Sequence, residues 1–193
     1  MSTYPTPAAV RQPAIAPLNL GKLTALFRGR TLAAFVDAIW VPAVAATLIV
    51  LAGAIGYWLK QPWLFAGLGP TVLMLASHPG HETTRFRAVV VAHLAAIGCA
   101  YLAILLLNAQ GAAAVVTRVT VPLPRVWASA AALAMLAILM PQLRAYHPPA
   151  AATALLVTLG AYRMTGKTPL ALMAGVVAVA VAGEVLNRVR PRR

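Results

Sequence analysis

The stretch from Ala38 to Leu59 contains no charged side chain, and this narrows the fold more than any other feature. As a helix rising 1.5 Å per residue, it reaches across the roughly 30 Å hydrocarbon layer of a bilayer. A soluble domain would have to wrap such a helix in protein on all sides, and this chain lacks the polar surface to do so. Of its 193 residues 61% are hydrophobic and 10% charged, whereas ordinary soluble domains carry about 25% charged residues. In lipid every backbone N–H and C=O must be satisfied within the protein, which favours helices. The sequence therefore specifies an all-α integral membrane protein with a single membrane domain.

Six apolar segments follow one another. Ala38–Leu59, Ala88–Leu107 and Leu170–Leu186 are long enough to span. Val126–Met140 is shorter, and Pro124 suits the first turn of its helix. Trp63–Ser77 is short and interrupted by Gly67, Gly69 and Pro70, and His147–Tyr162 is short and opens on two prolines. Ahead of them, residues 1–31 hold Pro5, Pro7, Pro13 and Pro17 and then Lys22, Arg28 and Arg30 among apolar residues. This region reads as an extended tail leading into an interfacial helix, without the compact apolar core of a signal peptide. Residues 32–187 form the membrane domain, and 188–193 a basic tail.

The order long, short and broken, long occurs twice. Pro42 and Pro124, Thr71 and Thr153, and Arg85 and Lys167 are each 82 residues apart, which marks two pseudo-repeats. Paired short segments interrupted by Gly or Pro point to a transporter binding site. Irregular backbone at membrane depth survives only where protein or a water-filled cavity satisfies it. The short segments either cross, giving six membrane segments in inverted repeats, or re-enter, leaving four spans. With both termini in the cytoplasm, Lys and Arg divide eleven inside to five outside for six crossings and ten to six for four. The positive-inside rule thus leans only slightly to six.

The net charge of +13 is spread over the two ends and the breaks between apolar runs. It forms no patch with interleaved aromatics, so it indicates lipid headgroups and topology, not nucleic acid. Cys99 is the single cysteine, and Asp37, Glu82 and Glu184 are the only acids. These exclude a disulfide framework, a CxxC metal site, a carboxylate metal cage and a paired-carboxylate hydrolase. No Ser/His/Asp set and no HExxH is present, so an enzyme is not expected, and neither is a cofactor or a resident metal. His78 and His81 with Glu82 make only a weak metal set.

The unusual stretch is "RAYHPPAAATALL", residues 144–156. Proline has no N–H and holds the preceding residue extended, so a helix can begin at Pro148-Pro149 but cannot run through from Leu143. His147 then stands at a helix N-terminus, whose free N–H groups and positive dipole end suit an anion, with Arg144 three residues earlier. A plain helix start carrying an interfacial His and Arg fits the same residues.

This stretch resembles the signature of the HPP family of integral membrane proteins, close to H-P-P-A-G-A-T-A-L. His147, Pro148, Pro149, Ala150, Ala152, Thr153 and Ala154 match it, and Ala151 stands where Gly is usual. "GLGPTVLMLAS" (67–77) is similar to the family's Gly-rich first short segment. "TTRFRAVVVAH" (83–93) is similar to its Q-P-R-N-x-x-x-G-H stretch, with Arg87 and His93 in register and Phe86, Ala88 and Ala92 replacing Pro, Asn and Gly. The resemblance covers roughly residues 35–187. It implies a small multispanning protein of a family in which some plastid and cyanobacterial members are associated with nitrite transport. The Asn missing at Ala88 weakens any carry-over of substrate.

Further residues fit an anion. Arg85, Arg87, His78 and His81 follow the first short segment, and Arg144 and His147 precede the second. With six crossings both sets face the cytoplasm as a cationic vestibule; a solvated, inside-positive loop is the plainer alternative. His93 lies within an apolar span, where an ionisable residue signals function or a hydrogen bond to a neighbouring helix. Gly53, Gly56, Gly98, Gly175 and Gly183 read as close-packing positions, and Trp40, Trp58, Trp63 and Trp127 as interfacial anchors. Asp37 and Glu184 fall near span ends.

The expected function is a transporter or channel for a small inorganic anion, nitrite-like, with a non-transporting membrane subunit or assembly factor as the alternative. The expected substrate-binding set is His147, Pro148, Pro149, Thr153, Arg144, Arg87, His93, Thr71 and Gly69. The expected partners are the lipid bilayer, the anion and a second copy of the chain in a homodimer. The expected location is a bacterial cytoplasmic membrane, with both termini in the cytoplasm.

Overall fold

The computed structural model describes residues 32–115, 120–162 and 164–189, with side chains from Ala38 onward. The expected tail and interfacial helix of residues 1–31 lie outside these, as does the side chain of Asp37. The chain divides into two units, Met1–Val36 and Asp37–Arg193, and the sites below belong to the second. Six α-helices are present and no strand occurs among the described residues: α1 (Leu32–Leu59), α2 (Leu68–Ser77), α3 (Phe86–Leu106), α4 (Leu123–Gln142), α5 (Ala150–Thr158) and α6 (Lys167–Val189). A 3-10 turn, Glu82–Thr84, leads into α3. Four helices, α1, α3, α4 and α6, are long and apolar enough to cross a membrane. Their outer faces expose large apolar side chains such as Val50, Leu94, Leu102 and Ile138, a surface suited to lipid and costly in water.

The two short helices have 10 and 9 residues, which gives rises of about 15 Å and 13.5 Å, half the hydrocarbon thickness. Their starts correct the sequence reading of where the breaks lie. Gly69 and Pro70 do not interrupt the first short segment but belong to the first turn of α2, where a missing N–H is tolerated. The irregular backbone is residues 60–67. The second short helix starts after Pro149, so both prolines precede it.

Lipid tails are as apolar as the side chains they would replace, so helices in a bilayer gain most from close packing of small residues. α3 supplies such a face: Ala92, Ala96, Ala100 and Ala103 are fully buried, and α3 packs against α4, α5 and α6. Leu75 of α2 lies where a side chain on Gly183 of α6 would be, which explains that glycine. Gly98 faces open space and has no such role. Trp63 likewise departs from expectation. It is buried and fits against Gly56 and Gly175, so it is a wedge in the core, whereas Trp58 and Trp127 are exposed.

Contacts along the chain show how the short segments run. Gln61 and Pro62 share a small cavity with Lys167 and Thr168 at the start of α6. Trp63 meets Gly175 and Leu75 meets Gly183, so residues 61–75 follow α6 in the same direction. The second short segment begins beside the start of α3, where Arg87 donates to the carbonyls of Leu143 and Arg144 at 3.1 and 3.2 Å. It ends beside the start of α4: Arg125 donates to Thr158 O at 2.9 Å, and Val115 N–H donates to Leu159 O at 3.0 Å.

Candidate functional site

The first turns of α2 and α5 meet inside the bundle. Thr71 of α2 and Thr153 of α5 are both fully buried, as are His93 of α3 and His147 ahead of α5. A methyl group placed on Gly67 would collide with Thr153 Oγ1, so only glycine lets the two short helices approach this closely. The Thr71 hydroxyl lies 2.9 Å from Gly67 O, 3.2 Å from His147 Nε2 and 3.4 Å from His93 Nε2. The two imidazole rings are 5.3 Å apart between centroids. Sequence positions 67, 71, 93, 147 and 153 thus converge on one polar centre within an apolar bundle.

The other ring nitrogens set the tautomers. His93 Nδ1 is 2.9 Å from Val89 O, and His147 Nδ1 is 2.7 Å from Thr83 O. A nitrogen facing a carbonyl oxygen must carry its proton and donate. In the neutral rings the Nε2 lone pairs therefore face Thr71, and that of His93 also faces the Gly67 carbonyl. The Thr153 hydroxyl has no hydrogen-bond partner at all. A buried polar atom left this way costs about 1–3 kcal/mol.

The arginines form a second, shallower feature. Arg85, Arg87 and Arg144 line a cavity of about 690 Å³ together with His81, Glu82, Thr83 and Tyr146. Three arginines against one acid make its field cationic. Arg87 also caps the carboxyl end of α4 through the Leu143 and Arg144 carbonyls, a favourable place for a cation. Arg144 itself is exposed, with φ at +49°. The cavity and the buried centre share one residue: Thr83 lines the cavity, and its carbonyl accepts from His147.

The remaining expected site residues behave differently. Pro148 and Pro149 line an open, apolar groove of about 550 Å³ with Pro70, Leu73 and Met74, and they precede the start of α5. The free N–H groups expected at that helix end are also occupied: Ala150, Ala151 and Ala152 donate to the carbonyls of His147, Pro148 and Pro149 at 3.0–3.1 Å. Gly69 is half-buried with open space where a side chain would be. His78 lines the apolar groove. Among the described residues no three His, Cys, Asp or Glu side chains come together as a metal site.

One polar cluster was not anticipated. Arg125, in the first turn of α4, is buried and donates to Thr158 O and Ala112 O at 2.9 and 2.7 Å. Ser129 Oγ meets Thr158 Oγ1 at 2.8 Å. This ties down the carboxyl end of α5 at the side of the bundle away from the arginine cavity. In the sequence Arg125 falls in a break between apolar runs. Its position one residue after Pro124, already placed in the first turn of a spanning helix, was the available signal that it sits at the membrane edge of the bundle.

The family model for the transmembrane region of HPP proteins matches residues 30–193. The chain belongs to the HPP family. No curated protein and no solved structure matches it. The match includes the HPP stretch itself, so His147 is at once the family's signature histidine and the member of the buried centre that touches both Thr71 and Thr83.

Proposed function

We propose that this HPP protein moves a small inorganic anion, nitrite-like in size and charge, across a bacterial cytoplasmic membrane. In this reading the anion gathers in the Arg85, Arg87 and Arg144 cavity. It then passes Thr83 to the junction of α2 and α5, and leaves past Arg125. One observation carries the proposal: two half-length helices meet at their N-terminal ends inside the bundle, beside a buried Thr153 hydroxyl without a partner. Both dipoles present their positive ends there, and because the first N–H groups of α5 are taken by the carbonyls of residues 147–149, the donor offered to an anion is the Thr153 hydroxyl.

The topology that fits is six crossings in two inverted repeats, each of a long, a broken and a long segment. The path of residues 61–75 along α6, and of the second short segment from the start of α3 to the start of α4, supports this. So does the constant offset: α2 and α5 begin 82 residues apart. With both termini in the cytoplasm, the arginine cavity opens to that side. The protein is then a carrier and not an enzyme, and a homodimer fits its small size.

Flux into proteoliposomes tests this, with nitrite, nitrate, formate and chloride offered in turn. At least one should enter faster than into protein-free vesicles, and Arg87→Ala and Thr153→Val should slow it. If none moves while a stoichiometric membrane partner co-purifies in mild detergent, the protein is instead a non-transporting subunit.

A further inference from the structure

We infer that His93, Thr71 and His147 form a single-proton site, and that the anion crosses the centre of the bundle together with that proton. The inference rests on the transport reading above and adds the coupled ion. It follows from counting donors. Both Nδ1–H groups are committed, to Val89 O and Thr83 O. What remains is one hydroxyl proton on Thr71 facing three acceptors: Gly67 O, His93 Nε2 and His147 Nε2. Turning the His147 ring to its other tautomer would set a bare nitrogen against Thr83 O at 2.7 Å, and turning His93 only moves its single proton from Val89 O to Gly67 O, leaving the other carbonyl against a bare nitrogen. With both rings neutral the centre is therefore short of donors, and buried acceptors without donors are costly.

One added proton repairs it. The proton bonds to the lone pair of one Nε2, which then donates to Thr71 Oγ1, while the Thr71 hydroxyl donates to Gly67 O or to the second ring. A second proton would place two imidazolium rings 5.3 Å apart between centroids, and like charges that close disfavour it. The cluster thus takes one proton.

An anion at the junction supplies the reason for coupling. An isolated charge at the middle of a bilayer is expensive. An anion accepting from the free Thr153 hydroxyl, beside an imidazolium, is a neutral pair. The proton enters from the arginine cavity, rests on Nε2, and leaves on the far side with the anion, so that no net charge crosses. Among the described residues no other ionisable group competes. α2 and α5 carry none. On α3, Arg87 is directed to the Leu143 and Arg144 carbonyls, and Cys99 and Tyr101 lie further along the helix. On α4, the two terminal nitrogens of Arg125 donate to Thr158 O and Ala112 O at the far end of α5. On α6, Glu184 pairs with Arg188 at 3.3 Å, and Lys167 stands at the start of the helix. His81 and Glu82 in the turn before α3 are exposed.

Two measurements on the full chain in lipid separate this inference from the transport reading. Nitrogen NMR of the histidine-labelled protein should show both rings as Nδ1–H tautomers at high pH. As pH falls the pair should gain one proton, and His147→Gln and His93→Gln should each change the titration of the remaining ring. Rings that stay neutral over the whole pH range in which the helices remain folded, or that are Nε2–H tautomers, overturn the inference. In proteoliposomes with nitrite as probe, corrected for leak into protein-free vesicles, an inward proton gradient should drive accumulation roughly tenfold per pH unit. Both Gln variants should lose that gradient-dependent part. Nitrite entry indifferent to the gradient overturns the coupling and leaves the anion reading intact. Rings that titrate while no anion moves overturn the transport reading and leave the proton site standing.

Discussion

Thr153→Val separates the two roles a buried hydroxyl can have. Valine has the branched shape of threonine and lacks only the O–H. Thr153 is fully buried and its Oγ1 has no partner, so the wild-type side chain carries a desolvation cost of about 1–3 kcal/mol with no hydrogen bond in return. Removing it should stabilise the protein by that amount. A chain of this size shifts its Tm by roughly 2–4 °C per kcal/mol, so thermal unfolding in detergent should move up by several degrees. Flux should move the other way. A hydrogen bond to a charged ligand is worth about 1.5–3 kcal/mol, so its loss predicts anion uptake roughly ten- to a hundredfold slower. A variant that unfolds at lower temperature would mean that the hydroxyl has a structural partner. A more stable variant that transports like the parent would mean that the anion does not meet Thr153. Either result refutes the reasoning about the junction.

Three further outcomes follow. Gly67→Ala should destabilise by about 1–3 kcal/mol through overpacking, chiefly against Thr153 Oγ1 with the Phe65 ring also close, and adding Thr153→Ala should restore part of the Tm, because it removes the closest of these atoms. Arg125→Met should cost about 1.5–3 kcal/mol for each of its two charged hydrogen bonds, seen as a lowered unfolding temperature, with Arg125→Lys intermediate. Arg87→Ala touches exposed groups and should change stability little. It should slow uptake at low ionic strength, with the difference fading toward physiological salt as screening shortens to about 8 Å.

Much of the architecture is legible in the sequence because hydrophobic length is nearly a direct measurement of membrane spans. The long helices α1, α3 and α6 fall on the three longest apolar runs, and the two short helices fall on the short ones. The breaks were harder to place. Gly69 and Pro70 are strong punctuation in a sequence, yet in the first turn of a helix neither interrupts any hydrogen bond, so the irregular backbone sits earlier, at residues 60–67.

The site was legible as a list of residues and not as an arrangement. His93 and His147 were each singled out for being ionisable in greasy surroundings, but nothing in their spacing says that they meet over Thr71. That pairing depends on helices separated by more than fifty residues. The motif's own prolines set where α5 begins, which positions His147. Arg125 stands between apolar runs, where an arginine reads as a loop charge, but helix α4 begins at Leu123 and places it in the first turn.

The most direct test of the central claim is to locate the anion. Bromide is small, monovalent and identifiable by its anomalous scattering, so diffraction from crystals grown in a lipid phase with bromide would show where it rests. The anion account predicts bromide at the junction of α2 and α5, within hydrogen-bonding distance of Thr153 Oγ1. Bromide confined to the Arg85, Arg87 and Arg144 cavity, or absent from the bundle while nitrite flux proceeds, would contradict it.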